Sequence, residues 1–155
     1  MKKIMMLLMV SVFFLMGGEN MVQGSENSSV AEVITFPTFI TAFPGQTVSI
    51  TFNMIGDVFN ERDYVISLWF QPSGRPPMEL IRIDKEGTIL FRHPMVIDRI
   101  TISYDKFRKK GIVTISNVIF ENEGIYYISV VDDTNMWYWS YGTLLTVSTP
   151  WARKE

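Results

Sequence analysis

Cysteine is absent from the 155 residues, histidine occurs once, and no apolar run reaches membrane-spanning length. Each absence excludes something. Without cysteine there is no disulfide framework, no thiol nucleophile and no thiolate metal site. His93 stands alone beside Pro94 with no nucleophile paired to it in sequence, so it reads as a surface residue rather than a catalytic base. The acidic pairs Asp132-Asp133 and Glu121/Glu123 lack the glycine-spaced pattern of a calcium loop. The chain therefore reads as a non-enzyme with no metal and no cofactor. A net charge of −2 gives no basic footprint for nucleic acid.

The opening "MKKIMMLLMVSVFFLMGGENMVQG" has two lysines, an apolar run from Ile4 to Met16 and a small, polar exit. That run falls short of the roughly 20 residues needed to cross a bilayer, so residues 1–24 are expected to be a secretory signal peptide, cleaved after Gly24 or nearer Gly18. Residues 25–32 form a polar lead-in, with Asn27 in a glycosylation sequon. Residues 33–148 form one domain, and 149–155 a charged tail without an anchor. The expected location is extracellular, as a secreted protein.

From Val33 onward the apolar residues alternate in short runs broken by Gly, Pro, Asn and Asp, which is the period of half-buried strands. The runs predict strands near 33–43, 46–54, 64–71, 78–83, 88–91, 99–104, 111–117, 124–132 and 138–148. Helical periodicity is absent. About nine short strands without intervening helices imply an all-β fold, an antiparallel two-sheet sandwich.

Several stretches narrow this sandwich. "GQTVSITFNM" resembles strand B of a variable-type immunoglobulin domain, with Phe52 at the first cysteine position. "WFQPSGRPPMELI" resembles strands C and C′, with Trp69 as the core tryptophan, and "WSYGTLLTVS" resembles strand G. The block from Arg99 to Ile128 fits strands D, E and F, with Tyr126 at the tyrosine-corner position and Ile128 at the second cysteine position. The resemblance to the immunoglobulin superfamily, variable type, covers roughly Val33 to Ser148. It implies a recognition module whose outer C/F/G face meets a partner.

The departures from that pattern carry their own expectations. Phe52, Trp69, Tyr126 and Ile128 become the structural core, with Phe52 against Trp69 in place of the disulfide. A bridge closing that loop is worth roughly 2 to 5 kcal/mol, and burying two large apolar side chains returns about 1.5 to 3 kcal/mol each. The two are of similar size. Asn122 replaces the aspartate that usually pairs with the strand D arginine, leaving Arg99 to Glu121 or Glu123. Ser140 replaces the first glycine of the strand G bulge, and the turn after Trp69 leaves the glutamine that bridges antibody chain pairs displaced.

With Trp69 placed inward, alternation puts Ile66, Leu68 and Phe70 on the outer face. Tyr126, Ile128 and Val130 point in; Tyr127, Ser129 and Val131 point out. The F to G loop adds Asn135, Trp137 and Tyr138, rings suited to contact because they supply area at low entropy cost. The expected partner-binding set is Leu68, Phe70, Tyr127, Val131, Asn135, Trp137 and Tyr138. The occupant is a protein ligand or receptor, such as a second variable-type domain, with a homodimer through the same face as the alternative. The B to C loop, Phe59 to Arg62, and the basic D to E turn, Lys106 and Arg108 to Lys110, read as solvated connections; an acidic glycan or a membrane is the sharper reading of the latter.

Overall fold

The structure, a computed structural model, describes residues 30–96 and 99–149. The expected signal peptide, Asn27 and most of the tail lie outside the described residues. Among the described residues there are eleven strands: β1 Glu32–Phe36, β2 Phe39–Ala42, β3 Val48–Ile55, β4 Tyr64–Pro72, β5 Met78–Asp84, β6 Ile89–Arg92, β7 Ile100–Asp105, β8 Lys110–Ile115, β9 Gly124–Asp132, β10 Trp137–Trp139 and β11 Thr143–Val147. The small sheet runs β1-β3-β8-β7; the large sheet runs β2-β11-β9-β4-β5-β6, with β10 also paired to β9. This is the variable-type sandwich. Every strand run read from the sequence is present, and the first and last are each divided in two.

Both divisions have local causes. Pro37, which has no N–H to donate, ends the pairing of β1 with β3, and the chain crosses to pair β2 in parallel with β11. At the other end, Trp139 lies opposite Ser129 and Thr143 opposite Tyr126, so residues 140–142 face only Tyr127 and Ile128. One extra residue makes a bulge there. Ser140 sustains it: its N–H donates to Ile128 O at 2.9 Å and its Oγ accepts the Ile128 N–H at 3.0 Å. Gly142 completes the bulge at φ +90°, where a Cβ would press on the Tyr127 ring at 2.8 Å.

The inter-sheet core corrects the expected phase of β4. Tyr64, Ile66, Leu68 and Phe70 are buried, Leu68 to 1% and Phe70 to 8% exposure, whereas Trp69 is only half-buried and faces outward. Leu68 is opposite Ile128 in the ladder and holds the core place assigned to Trp69. Phe52 accordingly has a different aromatic neighbour. It stacks on Tyr104 with ring centroids 6.0 Å apart and planes within 5°. Gly111 lies between them in register, and a Cβ there would fall 2.1 Å from the Phe52 ring. The ring that replaces a cysteine thus fills space that a side chain at 111 would need.

The tyrosine corner is formed, with Tyr126 Oη donating to Asn122 O at 2.8 Å. Arg99 has no ion pair among the described residues; Glu123 instead accepts the Val147 N–H at 2.9 Å. The B to C connection is a one-turn helix, α1 Val58–Glu61, that buries Phe59 against Tyr64 and Tyr138. Phe59 therefore belongs to the core, while Asn60 and Glu61 are exposed as expected of a solvated connection.

Candidate functional site

The outer face of the large sheet is a grid set by strand register. Glu79, Trp69 and Tyr127 form one row; Arg82, Ser67, Ser129 and Trp139 the next; Asp84, Val65, Val131 and Trp137 the third. Small serines occupy the centre, and large rings fold over them. Ser67 and Ser129 are buried although they lie on the outer face. Trp69 Nε1 donates to Ser129 Oγ at 2.8 Å, and Ser67 Oγ donates to Glu79 Oε1 at 2.6 Å. Glu79 also holds Arg82 through two hydrogen bonds at 2.8 and 2.6 Å.

Above the serines three tryptophans form a contiguous row, Trp139 stacked on Trp137 and tilted by 45° to Trp69. Trp69 and Trp139 have centroids 5.6 Å apart, and Trp139 and Trp137 are 5.8 Å apart with planes within 13°. Trp137 and Trp139 are 51% and 50% exposed. Such half-exposed indole area on a rigid sheet is the composition of an interface anchor. Beside it, Tyr127 Oη donates to Gln71 Oε1 at 3.0 Å, so Gln71 lies on this face as well.

The β9–β10 loop is held by Asp132. Its Oδ1 accepts the Thr134 N–H at 2.9 Å, the Thr134 hydroxyl at 2.6 Å and the Met136 N–H at 3.0 Å; its Oδ2 accepts Arg62 Nη1 at 2.8 Å and the Tyr138 hydroxyl at 3.3 Å. Burial pushes the Asp132 carboxyl up, but these donors outweigh it and hold the group well below the usual carboxylate range. Asn135 completes the turn at φ +63°. The loop is pre-organised by a buried anion, which limits the ordering penalty when a partner docks.

Of the residues expected to bind a partner, Tyr127, Val131, Asn135 and Trp137 lie on this face or its loop. Leu68 and Phe70 do not: they face the core and are unavailable to a partner, and Ile66 is buried with them. Tyr138 points inward against Phe59. Sequence reasoning missed the outward place of Trp69, the contribution of Trp139, and Asp132 as loop organiser, although Asp-x-Thr at a loop entry is an Asx-turn signal. Among the described residues, no group of three or more His, Cys, Asp or Glu side chains is arranged to hold a metal, and no helix is long and apolar enough to cross a membrane.

A two-sheet domain with this strand order, a tyrosine corner and an aromatic outer face defines an immunoglobulin-type recognition module. The family model of the immunoglobulin V-set domain matches residues 35–148, and the chain belongs to that family. No match is found among curated proteins. Domains of this family are generally binding modules without enzymatic activity, typical of extracellular and cell-surface proteins. This one reaches the fold with no cysteine at all.

Proposed function

We propose that the protein is a secreted recognition module that binds a protein partner through the outer face of β4, β9 and β10 and the β9–β10 loop. The single observation carrying this reading is the contiguous Trp69–Trp139–Trp137 ring cluster, two of whose rings, on β10 beside β9, are half-exposed. The mechanism is burial of rigid aromatic anchors over a pre-organised loop, and no chemistry is performed. Trp139, Trp137, Tyr127 and Val131 supply the contact area, and Asn135 the loop contact.

The test is binding of extracellular ligands by the chain and by the Trp139→Ala, Tyr127→Ala double variant. Loss of an interface anchor weakens association by about 2 kcal/mol or more, close to thirtyfold. Undiminished binding by the double variant removes this face from the proposal. Self-association through the same face is the second reading, favoured by an apolar patch that has Gln71 and Tyr127 at its edge. Sedimentation at micromolar concentration decides it, because a strict monomer excludes a two-fold dimer.

A further inference from the structure

The end of the sandwich that carries the β7–β8 hairpin holds a cavity of about 200 Å³ whose lining includes Arg62, Lys85, Lys106 and Lys109 and no carboxylate. Phe59 and Tyr64 form its aromatic wall. Three of the cations are held by acids outside the lining: Arg62 by Asp132, Lys85 by Asp63 and Lys106 by Glu86. In the Lys85 and Lys106 pairs both partners are exposed, so these two are weak and open to exchange, whereas Arg62 stays on the buried Asp132 carboxylate. Lys109 has no acidic partner among the described residues. Its Nζ lies 3.3 Å from Tyr64 Oη and 5.5 Å from the Tyr64 ring centroid, and its backbone takes φ +52°.

At the rim of the cavity stands Phe107, 87% exposed at the hairpin tip. Its neighbours are Lys106, Arg108 and Lys109 in the turn and Lys110 at the start of β8; Asp105 accepts the Phe107 and Arg108 N–H groups and pairs with the Arg108 side chain, and Lys106 Nζ sits 5.3 Å from the ring. A fully exposed phenylalanine set among basic residues gains nothing from water, whereas at a lipid surface the ring enters the acyl boundary and the cations meet anionic head groups.

From this cavity and this tip we propose that the β7–β8 hairpin is a docking site for an anionic phospholipid surface, with a head-group phosphate or carboxylate entering the cavity against Lys109 and Phe107 seated in the interface. The occupant is lipid rather than free anion because the exposed ring and the cavity adjoin: a free phosphate would engage Lys109 and leave Phe107 in water. None of the three tryptophans lines this cavity, although Arg62 links its lining to Asp132 and Thr134 of the β9–β10 loop.

The test is co-sedimentation of the purified chain with vesicles of phosphatidylcholine alone and of phosphatidylcholine with phosphatidylserine in equal parts. Binding is expected to the mixed vesicles only, weakened by salt and falling roughly fivefold for each basic residue removed. Lys109→Gln and Phe107→Ala should each reduce it, and Trp139→Ala should not. Equal binding to both vesicle types, or full binding by both hairpin variants, overturns the proposal. So does binding of inorganic phosphate or of heparin by a chain that neither vesicle retains, which would assign the cations to a free anion or an acidic polysaccharide.

Discussion

Phe52 and Gly111 are one unit: a ring at the vacated cysteine position and a bare backbone that gives it room. Gly111→Ala should destabilise the fold by about 1 to 3 kcal/mol, the usual range for forcing a methyl group into a filled core. Denaturant unfolding measures this, and Phe52→Leu in the same chain should recover part of the loss, giving a coupling energy between the two sites. Asp132 supplies a second test. Its carboxyl is depressed in the folded state, so the stability it contributes is fully present above the unfolded value of about 3.9 and is lost as pH falls from there through the folded pKa. The unfolding midpoint should drop in that acid window, and Asp132→Asn should flatten the drop while lowering stability at neutral pH. Residue identity also explains the misplaced strand phase. Tyr64, Ile66, Leu68 and Phe70 are uniformly apolar, whereas Val65, Ser67, Trp69 and Gln71 include two polar residues. Alternation alone assigns the first set inward. The resemblance of Trp69 to a core tryptophan outweighed that signal and moved the wrong set outside.

At the scale of the element, the strand G bulge depends on a side chain acting for the backbone. Ser140→Ala leaves the buried Ile128 N–H without its Oγ acceptor and should cost about 1 to 3 kcal/mol, with faster hydrogen exchange at the Ile128 amide as the local signature. Tyr126→Phe, which removes the corner hydrogen bond to Asn122, should cost about 1 kcal/mol by the same unfolding measurement. The strands themselves were legible because their runs are short, alternating and punctuated by Gly, Pro, Asn and Asp. The divisions were not. That Pro37 and Ser140 would split the first and last strands depends on which neighbour each half finds, and sequence period carries no information about partners. The one-turn helix at Val58–Glu61 is too short to show a helical period, and Phe59 is buried by tertiary contacts alone.

Across the whole molecule, two apolar side chains from opposite sheets stand where a disulfide would join them. Phe52→Cys with Ile128→Cys should bridge on oxidation, read as loss of free thiol; Cα atoms more than about 7 Å apart would prevent it. The gain should fall short of the roughly 2 to 5 kcal/mol of a native bridge, because removing the Phe52 ring leaves a cavity beside Gly111. The two-sheet, all-β architecture was readable from the strand runs, while the candidate site was only half readable. Tyr127, Val131 and Trp137 followed from the phase of β9 and its loop, but the ring cluster that makes them a surface requires Trp69 and Trp139 to meet over the buried Ser129. The most direct measurement of that surface is site-specific photo-cross-linking. A photoreactive residue at position 139 should capture a protein partner or a second copy of the chain, whereas one at position 112, exposed on the small sheet, should not. Adducts at 112 with none at 139 would contradict the account.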